Sequence, residues 1–151
     1  MVDYDLICEQ IEALAETEPF YVPLLANVSA LLYENMPDLN WAGFYLMKDG
    51  QLVLGPFQGK TACIHIQLGK GVCGTAAAED RPQLVEDVHQ FPGHIACDSA
   101  SNSEIVVPIH KEGKVTGVLD IDSPLFGRFL HEDQEGLEKV VRVIEKTVSM
   151  E

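Results

Sequence analysis

Residues 40–57 read NWAGFYLMKDGQLVLGPF, and the spacing of their side chains decides the fold class. From position 41 the pattern has a period of two. Trp41, Gly43, Tyr45 and Met47 share one face of a strand, and Ala42, Phe44 and Leu46 share the other. KDG is a turn signal, and QLVLGPF behind it is a second strand-forming run. Two such runs across a tight turn predict a hairpin.

Before this stretch the period is helical. YDLICEQIEALAE puts Tyr4, Ile7, Ile11, Leu14 and Ala15 on one stripe. Pro19 and Pro23 suit the start of a second helix, where a missing N–H costs little. Leu24, Leu25, Val28, Leu31 and Leu32 form its apolar face, and NMPD ends it. After the hairpin, ACIHIQL reads as a third strand and GKGVCGTAAAED as a glycine-rich turn into a short helix. PQLVEDV starts a short strand, and a polar loop covers 86–103. EIVVPIH and KVTGVLDID pair around KEGK as a second hairpin. From His131 a last helix carries Leu137, Val140, Val141, Ile144 and Val148 on one stripe. Its acids come early and its bases late, which complements the helix dipole. Helices, then hairpin-linked strands, then a helix predict an α+β domain with an antiparallel sheet.

The 151 residues suit a single domain spanning 1–151. No apolar run approaches the roughly 20 residues that span a bilayer. The acidic N-terminus MVDYDLICEQ lacks the basic and apolar regions of a signal peptide, so a cytoplasmic protein is expected. A formal net charge of −14 disfavours nucleic acid and anionic membrane as partners.

GPFQGKT (55–61) is one residue short of a phosphate loop and lies between strands, where that loop needs a helix next. No Gly-x-Ser-x-Gly elbow of a serine hydrolase is present. No Cys-x-x-Cys pair is present either, and His94-x-x-Cys97 is the one close His/Cys spacing of that kind, so no metal is expected.

GVLDID is more telling. Asp120 and Asp122 leave the same face of a strand that looks central, and Glu104 can join them across the hairpin. On a solvent face such a pair is ordinary. In a pocket it repels itself unless protonated or neutralised by a cation such as an ammonium. A carboxyl that keeps its proton can donate to a ligand oxygen. Trp41 and Tyr45 form an aromatic wall that is either core or a support for a methyl-sulfur or cationic group.

Four cysteines in such a chain do not read as a static disulfide framework. Cys8 sits in the first amphipathic helix, as packing. Cys73 lies at a helix start, where the dipole favours thiolate. Cys63 lies near a strand start, and Cys97 lies on the polar loop beside Asp98. By themselves these thiols leave redox chemistry and inert packing side by side.

GPFQGKTAC, GKGVCGTAA, VEDVHQFPGHIACDSASNSEIVVPI and GVLDIDSP, in that order, closely resemble the free methionine-(R)-sulfoxide reductases, which are stand-alone GAF domains. The resemblance runs over nearly the whole chain and includes three cysteines. It implies a GAF-like sheet of about six antiparallel strands flanked by helices. It implies that Cys97 is the nucleophile that becomes a sulfenic acid, that Cys63 resolves it to a disulfide, and that Cys73 takes part in recycling. It implies thioredoxin as the external reductant, with no bound cofactor. Glu104, Asp120 and Asp122 match the family's acidic pocket residues, and Trp41 and Tyr45 its aromatic ones. A homodimer fits this type of domain. A ligand-sensing GAF module without catalysis is the alternative, although no output segment accompanies the domain. A zinc-dependent hydrolase is a third reading.

Overall fold

The computed structural model describes residues 1–94 and 99–149. Two helices, α1 (Tyr4–Thr17) and α2 (Tyr21–Asn35), precede the strands β1 (Trp41–Lys48), β2 (Gln51–Gly59) and β3 (His65–Ile66). Helix α3 (Gly71–Glu79), strands β4 (Gln83–Val85), β5 (Ser103–Lys111) and β6 (Lys114–Ser123), and helix α4 (His131–Thr147) complete the order. The six strands form one antiparallel sheet in the order β3-β2-β1-β6-β5-β4. The expected α+β architecture and both hairpins are present. No helix among the described residues is long and apolar enough to cross a membrane.

Strand alternation sends side chains into two cores. One face of the sheet carries Ala42, Phe44, Ile105, Val107, Leu119 and Ile121 against the apolar stripes of α1, α2 and α4. Phe44 is fully buried there, a burial that contributes about 1.5–3 kcal/mol. The opposite face carries Trp41, Tyr45, Val106 and Val118 against Val72, Cys73, Ala76 and Ala77 of α3. This second core is smaller, and the site described below opens from it.

Local chemistry fixes the helix ends. The Asp3 carboxylate accepts from the backbone N–H of Leu6 at 3.0 Å and caps α1. Asp133, in the first turn of α4, accepts from the backbone N–H of Leu130 at 2.9 Å and from the Tyr4 hydroxyl at 2.6 Å. The partly buried Tyr4 ring thereby joins α1 to α4. A Cβ at Gly136 would fall on that ring, which accounts for glycine in the middle of a helix.

The third strand is shorter than its sequence suggests. ACIHIQL covers seven residues, but only His65 and Ile66 pair, with Val53 and Leu52. It is an edge strand, and Ile64 and Leu68 are exposed on either side of the pairing. β2 runs on to Gly59, but after one further bond, from the Leu54 N–H to the Ile64 carbonyl, the connection leaves it, so strand-forming composition alone does not make a rung.

His110, near the end of β5, ties the two helical layers together. Its Nδ1 meets a Glu145 carboxylate oxygen of α4 at 3.0 Å, and its Nε2 meets Asp80 at the end of α3. Burial lowers the His110 pKa, but the hydrogen bonds to Asp80 and Glu145 outweigh it, and the net shift is upward. A raised folded-state value means the stabilisation is complete below the free-histidine value of about 6.5 and fades as pH rises through the folded value. The side chain is about a third exposed, so the effect is modest, about 1 kcal/mol or less. In urea melts between pH 6 and pH 8, wild type is expected to lose that increment while His110→Leu stays flat. Equal slopes in the two proteins would remove the ion pairs from the account.

Candidate active site

Register assembles the site. In the β1–β6 ladder Trp41 lies opposite Asp122 and Gly43 opposite Asp120. In the β5–β6 ladder Glu104 lies opposite Asp122 and Val106 opposite Asp120. Three acids from two strands therefore meet on the face that α3 covers. They are 7%, 5% and 9% exposed for Glu104, Asp120 and Asp122. That burial removes the reading of the Asp pair as an ordinary solvent-facing sheet surface.

Burial of acids in one pocket has a clear electrostatic result. Desolvation, then the charges of Asp120 and Asp122, push the Glu104 carboxyl well above the usual range, so it keeps its proton near neutrality. Asp120 is also raised by burial, but hydrogen bonds with Glu104, Cys73 and Asp122 pull it part of the way back. One Asp120 oxygen, Oδ1, is buried without a hydrogen-bond partner among the described residues. A buried acceptor of that kind is suited to a donor brought by a ligand.

The aromatic wall stands beside the acids. The Trp41 and Tyr45 rings stack at 5.9 Å with 23° between planes. Phe57 stacks on Trp41 at 5.1 Å and 14°. It lies opposite Gly43 in the β1–β2 ladder, where a Cβ would run into the Phe57 side chain. Trp41 Nε1 donates to the Lys60 carbonyl at 3.1 Å, and the Tyr45 hydroxyl donates to the Cys63 carbonyl at 2.8 Å. Ala62, Lys70, His94 and Ser101 line the rest of the cleft. Burial and nearby His89 lower the His94 pKa against the pull of Asp120, so His94 is largely neutral near pH 7. Ser101 Oγ accepts from Asn40 Nδ2 at 2.9 Å, leaving its own proton to give.

The thiols divide sharply. Cys97 lies outside the described residues. Cys63 is in a disulfide, and its loop runs beneath Tyr45. Cys8 and Cys73 are free and buried. Cys8 packs in the large core, as its helical stripe suggested. For Cys73 the expectation of a helix-start thiolate is overturned. Burial, then the charges of Asp120, Glu104 and Asp122, push its pKa well above that of a free thiol. Its Sγ lies 4.0 Å from Glu104 Oε2. Desolvation and three acids outweigh a nine-residue helix dipole.

Cys73, Glu104 and Asp120 each offer a ligand atom, all within 4.8 Å of one another. A divalent ion held there would first have to displace the protons that burial retains. The structure thus brings together Trp41, Tyr45, Cys73, Glu104, Asp120 and Asp122, and sets the Cys63 backbone against Tyr45. Reading the sequence missed Phe57, Lys70 and Ser101, and weighed His94 only as a metal ligand. Phe57 had a signal, since the hairpin register sets it opposite a glycine. Ser101 had none, because its place depends on a loop crossing back to Asn40.

The GAF domain family matches residues 24–147. The free methionine-R-sulfoxide reductase of Escherichia coli is 58% identical over 137 residues, covering 91% of this chain and 83% of that protein. The chain belongs to the free methionine-R-sulfoxide reductase family. Members of known structure superimpose closely. The reduced form of fRMsr from Staphylococcus aureus has a TM-score of 0.94 at 54% identity, covering 99% of this chain and 97% of that one. The same protein in complex with substrate gives 0.93 at 53%, with the same coverage. As a member of this free methionine-R-sulfoxide reductase family, the chain is an oxidoreductase on a GAF domain.

Proposed function

We propose that the protein reduces free L-methionine-(R)-sulfoxide to L-methionine in the cleft between the sheet and α3. The observation that carries this reading is the buried trio Glu104, Asp120 and Asp122 beside the stacked Trp41 and Tyr45 rings. A cluster of carboxyl groups in that setting suits a substrate ammonium, and the aromatic faces suit the S-methyl group. A site that binds the free ammonium and carboxylate of an amino acid rejects a peptide-linked residue, whose two ends are amides. The S. aureus relative has a structure in complex with substrate, which supports a binding site in this fold.

The chemistry proceeds in two steps. The Cys97 sulfur attacks the sulfoxide sulfur while Glu104, which keeps its proton, protonates the sulfoxide oxygen. The substrate S–O bond breaks as the oxygen passes to the Cys97 sulfur, so methionine's sulfur is reduced and Cys97 is oxidised to a sulfenic acid, and the Cys97 thiol proton replaces the one Glu104 gave. The Cys63 sulfur then attacks the sulfenic sulfur, an S–S bond forms, the S–O bond breaks, and the oxygen departs as water with the thiol proton. The disulfide at Cys63 and the free thiols of Cys8 and Cys73 support this order. A thioredoxin dithiol restores both cysteines by exchange, so no bound cofactor is needed. The raised Cys73 pKa makes it a poor attacking thiol in the closed pocket. We therefore assign Cys73 an auxiliary role in recycling. A reducing compartment such as the cytoplasm fits this cycle.

The test is NADPH consumption with thioredoxin and thioredoxin reductase. Free methionine-(R)-sulfoxide, the S epimer and N-acetylmethionine-(R)-sulfoxide are supplied separately. Only the free R epimer is expected to turn over. Binding of that epimer with no turnover, by protein with verified reduced thiols, would identify a ligand-sensing GAF module instead.

A further inference from the structure

The geometry points to the Tyr45 hydroxyl as the group that positions Cys63 for the disulfide-forming step, while the ring face of the same residue stays in the aromatic wall. Between the end of β2 at Gly59 and the start of β3 at His65 the chain leaves the ladder. The carbonyls of this connection are held from three places. Lys60 accepts from Trp41 Nε1, Ile64 accepts from the Leu54 backbone N–H at 2.9 Å, and Cys63 accepts from the Tyr45 hydroxyl. Cys63 itself is thus held by a side chain of β1.

Tyr45 is well suited to hold a backbone in place. The residue is 2% exposed, its ring is clamped against Trp41, and β1 lies between β2 and β6 in the sheet. Burial and the surrounding acids raise its phenol pKa, so the hydroxyl stays protonated and serves as a donor. The 2.8 Å contact is seen with Cys63 already in its disulfide, the state the resolving step must reach. Bringing two sulfurs together depends on holding each near its attack position. A misplacement of about 1 Å can cost on the order of a hundredfold in rate. With the hydroxyl gone, the Cys63 carbonyl loses its donor and the loop gains freedom.

This rests on the proposed reading, in which Cys63 resolves the sulfenic acid of Cys97. The test mixes reduced enzyme with one equivalent of free methionine-(R)-sulfoxide and no reductant. Methionine release is followed by chromatography. Disulfide closure and trapped sulfenic acid are followed by quenched mass spectrometry with dimedone. Phenylalanine keeps the ring face proposed for the substrate and removes only the hydroxyl, so in Tyr45→Phe the ratio of the closure rate to the methionine-release rate is expected to fall by about tenfold or more, with sulfenic acid accumulating. At equilibrium with glutathione the variant's disulfide is expected to be more easily reduced. Closure at the wild-type rate would overturn the assignment, as would release and closure slowing in parallel, which would make the hydroxyl act on the substrate. Wild type that releases methionine without ever forming a disulfide at Cys63 would remove the proposed resolving step, and this inference with it. That failure is visible before any variant is made.

Discussion

Cys97→Ser is expected to lower methionine formation by at least about a thousandfold, measured with excess dithiothreitol so that recycling is not limiting. The reason is chemical. A thiol is partly thiolate near neutrality and strongly nucleophilic towards sulfur, whereas a serine hydroxyl is neither. The oxygen also needs a destination. On sulfur it becomes a sulfenic acid, while on a serine oxygen it would have to become a peroxide. The sequence around Cys97 is polar and turn-rich, so the substitution is expected to leave the melting temperature close to that of wild type. Calorimetric binding of methionine should persist in the variant, because the ammonium and methyl contacts proposed for the substrate come from other residues. Turnover within tenfold of wild type would end the nucleophile assignment and leave Cys63 or Cys73 to be tested in its place.

The second large effect is expected at Glu104. Glutamine keeps the shape and hydrogen-bonding capacity of the protonated acid but cannot release a proton to the sulfoxide oxygen. Glu104→Gln is therefore expected to lower kcat by about a hundredfold to ten-thousandfold, with a much smaller change in KM. The pH profile carries a sign. Glu104 is raised by burial and by Asp120 and Asp122, so wild type is expected to hold its rate into the neutral range and lose it as pH climbs past the raised value. The variant should show no such limb.

Stability should move the other way. An acid that binds its proton more tightly when folded makes the protein less stable as pH rises above the unfolded value of about 4.3. A neutral glutamine escapes that loss. Glu104→Gln is accordingly expected to melt higher than wild type at pH 7. An unchanged kcat together with a raised melting temperature would leave Glu104 a purely electrostatic burden and move the proton donor to Asp120.

Much of the fold and part of the site are legible in the sequence. The period of two in 41–47 assigns Phe44 to one core and Trp41 with Tyr45 to the other, and the helices occupy those two sides. The two-residue spacing of Asp120 and Asp122 puts them on one face, and the KEGK hairpin brings Glu104 opposite Asp122. Where the reading failed, the deciding quantity was not local. The third strand stopped at His65 and Ile66 because an edge ladder ended. Cys73 was misjudged because a helix start is visible in GKGVCG, whereas the acids that raise its pKa come from β5 and β6.

The sequence by itself determined the alternation of faces, the pairing of the two hairpins and the supply of acids, aromatic rings and thiols. Those properties depend on neighbours within a few positions, which strand and turn geometry fix directly. Only the tertiary structure decided that Glu104, Asp120 and Asp122 are buried together, that Cys73 is a protonated thiol among them, and that the Tyr45 hydroxyl ends on the Cys63 carbonyl. Desolvation and Coulomb repulsion depend on distance in space. Residues 31 positions apart, as Cys73 and Glu104 are, acquire that distance only when α3 closes over the sheet.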